Sequence, residues 1–172
     1  MRKATQLTLL SEFNLQTITH ALYQLAVMPE CIAPLQEEIT RVIKADGYTK
    51  TAFSKMKLLD SFIKESIRFH GIGMSMFDVL FPSQRPRTKK NPPSVTTLRE
   101  VVEDFCFSDG TFLPAGTHLA ANAFSIHHDD RYYKNADQFI PFRFVDEKGE
   151  IRSSAASTSA EFLAFGYGKQ SW

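Results

Sequence analysis

The 172-residue sequence predicts a mainly α-helical protein with a small β appendage. Three observations lead to that class. Apolar residues recur at spacings of three and four through residues 15–69, the period of helices that bury one face. Beyond residue 98, Phe105-Cys106-Phe107 and Thr111-Phe112-Leu113 form short stretches bounded by turn residues, as strands are. Between these regions, residues 77–97 show neither period. The chain therefore divides into a helical segment at 1–76, an insert at 77–97, and a segment at 98–172 holding a hairpin, a meander and a closing glycine-rich loop.

Within the first helix, Leu15, Ile18, Leu22, Leu25 and Ala26 mark one buried face. It ends at Met28-Pro29, because the residue before proline is pushed out of the helical region. Pro34 suits the first turn of a second helix, with Leu35, Ile39, Val42 and Ile43 as its apolar stripe and Glu37, Glu38 and Arg41 facing water. Gly47 closes it. The third helix covers Thr51 to Phe69, carries the stripe Phe53, Met56, Leu59, Phe62, Ile63 and Ile67, and stops at Gly71. Met56 and Phe62 belong to the core of this framework. Near the end of the third helix, Glu65 and Arg68 share a face and can meet as a bidentate pair. The neighbouring Lys64 is expected to point to solvent.

Residues 77–97 combine Pro82, Pro86, Pro92 and Pro93 with Arg85, Arg87, Lys89 and Lys90, and read as an exposed, disordered insert. A basic binding arm is the weaker reading, since no aromatic residue interleaves with the charges. In the last segment the hairpin turns at Ser108-Asp109-Gly110, and Pro114-Ala115-Gly116 leads into a strand at Thr117 to Ala121. Ser125-Ile126-His127-His128-Asp129-Asp130 contains metal-ligating residue types, but adjacent side chains project in different directions and rarely converge on one ion. It reads as a polar turn, with Asp129 or Asp130 capping a short helical piece. Ser153 to Ala160 is a low-complexity connector.

Composition narrows the function classes. A formal net charge of +1 makes no electrostatic case for nucleic acid or an anionic membrane. Two cysteines, Cys31 and Cys106, lack metal-site spacing, suit a reducing compartment and are expected to be buried thiols. The N-terminus turns polar at Ser11-Glu12 before a signal-like run develops, and no run reaches the roughly 18 apolar residues of a spanning helix.

Three stretches occur in a telling order: Glu65-Ser66-Ile67-Arg68, Phe139-Ile140-Pro141-Phe142-Arg143-Phe144, and Phe165-Gly166-Tyr167-Gly168-Lys169-Gln170-Ser171-Trp172. Together they resemble the signatures of the cytochrome P-450 family of haem-thiolate monooxygenases. The segment from Asp104 to Gly116 resembles the hairpin of fungal members, and His127 with Asp129-Asp130 the stretch that follows. The resemblance runs from about Asn14 to Trp172 apart from the insert. It implies a partial P-450 fold, the C-terminal half truncated at the haem loop and forming one incomplete domain. It also implies a structural triad of Glu65, Arg68 and Arg143 behind the haem, and a haem loop built from Phe165, Gly166, Gly168 and Gln170. Trp172 stands at the position of the cysteine ligand, and an indole offers no thiolate to hold iron or push electron density onto it. Gln170 occupies a place where the family often has a basic residue for a haem propionate. Cys106 reads as a core strand residue and Cys31 lies between helices, so neither replaces that ligand. The helix after the ligand, the acid-alcohol motif, the upstream substrate contacts and the membrane anchor are not found.

What the resemblance implies is oxygen insertion into a lipophilic small molecule, with haem as cofactor and an NADPH-dependent reductase as partner, in fungal secondary metabolism. With no catalytic residue and no metal ligand assigned, the chain is expected to be an inactive fragment by itself. The family usually sits at the endoplasmic-reticulum membrane; without an anchor this chain reads as cytoplasmic. Two other classes compete: a non-enzymatic helical fragment that binds a partner or a pseudogene product, and a metal-dependent hydrolase using His127 and Asp129. Joining Met76 to Leu98 looks like the uninterrupted strand-to-hairpin passage of fungal members, so residues 77–97 are expected to derive from an unspliced intron or a comparable gene-model error.

Overall fold

The computed structural model describes residues 2–71 and 95–168, with side chains from 14 and from 99 onward in the two stretches. The elements run α1 (Arg2–Val27), a 3₁₀ turn (Pro29–Cys31), α2 (Ile32–Asp46), α3 (Lys50–Ser54), α4 (Lys57–His70), β1 (Val95–Glu100), β2 (Phe105–Cys106), β3 (Phe112–Leu113), β4 (His118–Asn122) and α5 (Ala123–His127). This is the mainly helical body with a two-sheet strand appendage that the periodicity predicts.

The amphipathic face assigned to α1 is present, but it is not buried. Leu15, Ile18 and Leu22 are 66%, 56% and 61% exposed, while Gln24 is buried. Of the assigned face Leu25 does pack, with Ala21 and Met28, against Cys31, Leu35 and Phe62, and the His20 ring stacks on His70 at 4.4 Å, so the helix docks along an edge of that face. Apolar period identifies a helical face; it does not say what covers it.

α2 follows the predicted stripe at Leu35 and Val42, and Gly47 closes it by donating to the Ile43 carbonyl at 2.9 Å. Glu38, expected in water, is buried instead. Its carboxylate accepts the Leu58 and Leu59 amides at 2.9 and 3.0 Å, capping the start of α4 from another helix. Free amides and the positive end of the helix dipole stabilise a carboxylate there.

The single helix expected from Thr51 to Phe69 is two. Thr49 caps α3 by accepting the Ala52 amide at 3.1 Å, and the chain leaves helical geometry at Met56, whose ψ is 75°. The break turns Met56 inward against Val42 and Ala52 and leaves Phe53 exposed. α4 is the element the rest packs around: Ser61, Phe62, Lys64, Glu65, Ser66, Ile67 and Arg68 are all buried. Phe62 joins the cluster with Cys31 and Leu35, and Ile67 packs against Phe162 and Ala164. Burying side chains of this size is worth about 1.5–3 kcal/mol each. Gly71 ends α4 where expected, its amide bonding the Ile67 carbonyl at 3.0 Å.

β1 pairs antiparallel with β4, from Val95 opposite Asn122 to Glu100 opposite His118, with a bulge between Val95 and Thr97. The strand therefore begins inside the stretch 77–97 read as insert, because Val95-Thr96-Thr97 is a β-branched run suited to pairing. The earlier part of that stretch lies outside the described residues. The hairpin of β2 and β3 has the expected register, Phe105 opposite Leu113. Both of its faces are open, however, so Phe105, Phe112 and Cys106 are exposed, and Cys106 is not a core thiol. α5 is capped by Asn122, which accepts the Ser125 amide at 3.1 Å. Asp129 caps the turn that follows α5, its side chain accepting the Arg131 amide at 2.9 Å and its carbonyl the Tyr132 and Tyr133 amides at 3.0 Å, while Asp130 accepts the Ala136 amide.

Candidate functional site

Helical spacing places Ser61, Lys64, Glu65 and Arg68 on one side of α4, facing the chain that follows α5. Glu65 lies at the centre with no exposed surface. Arg68 grips it in a fork, Nε to Oε2 at 2.7 Å and Nη2 to Oε1 at 2.9 Å. Arg143 reaches the same carboxylate from 78 residues away, Nε to Oε1 at 3.0 Å, and the Ile140 amide donates to Oε1 at 2.9 Å.

Backbone carbonyls take the remaining guanidinium donors of Arg68 and most of those of Arg143. Arg68 bonds the carbonyls of Ala136 at 2.9 Å and Gln138 at 3.2 Å, and also that of His127. Arg143 bonds those of Lys134, Asn135 and Gln138 at 2.5, 3.1 and 3.0 Å. The bend that turns these carbonyls inward passes through Asn135, whose φ of 54° is left-handed. Asparagine tolerates that region better than most side chains. One carboxylate between a fully donated Arg68 and a nearly fully donated Arg143 has its desolvation offset only by the network around it, so removing a partner leaves uncompensated buried charge.

Lys64 is buried, contrary to the expectation that it faces solvent. Its Nζ donates to Ser153 Oγ at 2.5 Å, Ser153 O at 3.2 Å and Ser154 O at 3.0 Å, and sits over the rings of Phe144 and Phe162 at 4.7 and 4.6 Å. Burial pulls its pKa down to about 8, with the Asp60 carboxylate opposing the shift. Asp60 accepts the Ala155 amide at 3.1 Å. The connector at Ser153 to Ala160 is thus pinned at its start to α4 by two charged side chains. Sequence reasoning missed this; the signal was the polar period Ser61, Lys64/Glu65, Arg68, which continues a buried face and not a wet one.

From the connector the chain reaches Phe162 and Ala164, packed on Ile67 with Ile63 and Phe165 alongside, and then the glycine-rich loop. Gly166 and Gly168 have φ of 80° and 87°, the region that favours glycine. His127 is buried, its Nε2 accepting the Leu163 amide at 3.1 Å. His128 contacts Asp137 and the Phe69 carbonyl, Asp129 pairs with Arg131, and Asp130 holds the Ala136 amide. The four side chains of the His-His-Asp-Asp run therefore diverge to separate partners, which is incompatible with the hydrolase reading of His127 and Asp129. Among the described residues, no group of three or more His, Cys, Asp or Glu side chains is placed to hold a metal.

The haem implied by the resemblance can be tested against the donors present. Phe165 to Gly168 bring no sulfur or imidazole to the loop; Cys31 is buried in the helical core, and Cys106 lies on the exposed hairpin. The described donor set does not fit a thiolate-ligated haem. Gln170 and Trp172 lie outside the described residues.

Comparison with known proteins bears on the whole arrangement. The profile of the family described as Cytochrome P450 matches residues 15–77 and 89–171. Cytochrome P450 monooxygenase 151 of Postia placenta is 44% identical over 157 residues, 89% of this chain and 28% of that protein. Cytochrome P450 monooxygenase CYP512U6 of Ganoderma lucidum is 34% identical over 91% of this chain, and Cytochrome P450 monooxygenase TRI1 of Fusarium sporotrichioides 35% identical over 96%; each is covered over 28% of its own length. The chain thus spans under a third of the relatives it matches, and the stretches matched by the family profile include the charged centre and the Phe165–Gly168 loop. By its sequence, this chain belongs to the cytochrome P450 family.

Proposed function

We propose that this chain is the C-terminal segment of a haem-dependent monooxygenase that oxidises a lipophilic small molecule with electrons from an NADPH-dependent reductase, and that by itself it performs no oxidation. The observation that carries the reading is the buried Glu65–Arg68–Arg143 centre in one body with the Phe165–Gly168 loop. Such a centre contributes no chemistry of its own. It holds the meander rigid so that the loop has a fixed root. Inactivity rests on Trp172 at the ligand position, since an indole cannot act as an axial thiolate. No described helix is long and apolar enough to cross a membrane.

The test is optical. The purified chain and its Trp172→Cys variant are incubated with haem, reduced and exposed to carbon monoxide. The chain as written is expected to show no thiolate-type band, and the variant to gain one. Such a band in the unsubstituted chain would overturn the inactivity reading, and its absence from both would overturn the assignment of the loop.

A second reading, a non-enzymatic helical fragment, is favoured by the open apolar face of Leu15, Ile18 and Leu22. It predicts haem-free, helical protein that self-associates through α1. Sedimentation of a Leu22→Lys variant as the same species as the unsubstituted chain would remove its support.

A further inference from the structure

His127 is 1% exposed, and neither the charged centre nor the glycine-rich loop includes it. Its connections reach both. Arg68, already bound to Glu65, donates from Nη1 to the His127 carbonyl. The His127 ring lies on Phe162 at 5.2 Å with 23° between planes, meets Tyr133 edge-on at 6.3 Å, and takes the Leu163 amide on Nε2 at 3.1 Å. Leu163 stands two residues before Phe165, where the loop begins, and its carbonyl accepts the Gly166 amide at 3.0 Å. One residue therefore touches the charged centre through its backbone and the root of the loop through its ring.

The chemistry of the contact decides the protonation state. A backbone N–H only donates, so Nε2 must present a lone pair and the ring proton must sit on Nδ1. Nδ1 has no hydrogen-bond partner among the described residues. The titratable and charged groups facing the ring are the Arg68 guanidinium, the Lys64 ammonium, the His128 imidazole and the Tyr133 phenol. Burial and the cations Arg68 and Lys64 work against a second proton, and hold the group down at about 3.

We propose that His127 is the positioning residue of the Phe165–Gly168 loop: a neutral imidazole, locked as the Nδ1–H tautomer, that fixes the Leu163 peptide and transmits the order of the Glu65–Arg68 centre to the loop's root. A ring that merely filled space would be indifferent to tautomer and replaceable by phenylalanine. The inference makes no use of haem, so it stands or falls apart from the monooxygenase reading.

The experiment uses the full 172-residue chain labelled with ¹⁵N, together with His127→Phe and His127→Gln. In the unsubstituted chain the His127 nitrogens are expected to report an unprotonated Nε2 and a protonated Nδ1 unchanged from pH 8 to pH 5. In His127→Phe the Leu163 amide is expected to exchange with solvent about tenfold faster, the factor that corresponds to one lost hydrogen bond, while the Ala136 amide keeps its rate. In His127→Gln, whose carbonyl can reach the same amide, protection of Leu163 is expected to return. A protonated Nε2, an unchanged Leu163 rate in the phenylalanine variant, or glutamine no better than phenylalanine would each overturn the proposal. If His127→Phe does not fold, the tautomer in the unsubstituted chain decides.

Discussion

The Lys64 ammonium and the Ser153 hydroxyl oxygen lie 2.5 Å apart across 89 residues of sequence. With two carbonyls completing its donors and two aromatic rings beneath it, Lys64 is a buried cation whose partners are almost all uncharged. Its removal strands those carbonyls, so Lys64→Ala is expected to cost about 2–4 kcal/mol in urea unfolding. Lys64→Met, which keeps the stem, should cost less. A change under about 0.5 kcal/mol, ordinary for a surface lysine, would show that the clamp is not formed in solution.

Breaking the charged centre should be more damaging still. Glu65→Ala and Arg68→Ala are each expected to lose about 3–5 kcal/mol, because each leaves buried charge without its counterpart. Arg68→Lys should recover little, since an ammonium cannot reproduce the two-point grip on Glu65 together with three carbonyls. Thermal melts rank the three, and equal, small losses would contradict the geometry.

Acid should destabilise the fold through buried histidines. Burial, with His20 and His128 nearby, lowers His70 to about 4, and His127 is lowered to about 3. Both are neutral when folded and take up a proton near pH 6.5 when unfolded, so the unfolded state binds more protons between those values. Their stability is fully present above pH 6.5 and is lost as pH falls toward 4 and then 3. Unfolding free energies measured at pH 7, 6 and 5 should fall steadily, with a shallower slope in His70→Phe; a flat profile would refute the assignment.

Asn135 offers a test of backbone geometry. With φ at 54°, Asn135→Gly is expected to change stability by less than about 0.5 kcal/mol, whereas Asn135→Val should cost about 1–3 kcal/mol by straining the bend that feeds carbonyls to Arg143. Equal melting points for the two variants would show that the bend is not under that constraint.

The extent of the insert is also measurable. Between its two matched stretches the family profile skips residues 78–88, and β1 already begins at Val95. Deleting 78–88 is therefore expected to leave helicity and protease resistance unchanged, whereas deleting 77–97 removes Val95 and Thr97 from their pairing with β4 and should expose the strand to proteolysis. If both deletions behave alike, the pairing of Val95 and Thr97 with β4 contributes nothing to stability.

What the sequence shows well here is local. Gly47 and Gly71 as helix stops, the hairpin around Asp109-Gly110, Met56 and Phe62 as core, and the Glu65–Arg68 pair all follow from residue type and short spacing. Glu38 and Lys64 are buried against expectation because burial of a polar side chain depends on acceptors or donors supplied from far along the chain, which no period encodes. Leu15, Ile18 and Leu22 fail in the opposite sense: the period is right, but no described residue covers them. Cys106 alternates like a strand residue, yet alternation cannot tell a covered hairpin from a bare one.

The 78-residue separation of Glu65 and Arg143 also has a bearing on how an extra segment is accommodated. Bringing two distant points of a flexible chain together costs entropy that grows only with the logarithm of the intervening length. Lengthening that loop by the 11 positions from 78 to 88 raises the cost by roughly 0.1 kcal/mol, far below the several kcal/mol at stake in the ion pair it closes. A chain whose ends are joined by so strong a contact is thermodynamically almost blind to what is spliced into its middle. An insertion there meets little selection through stability, and its persistence or removal is left to events outside folding.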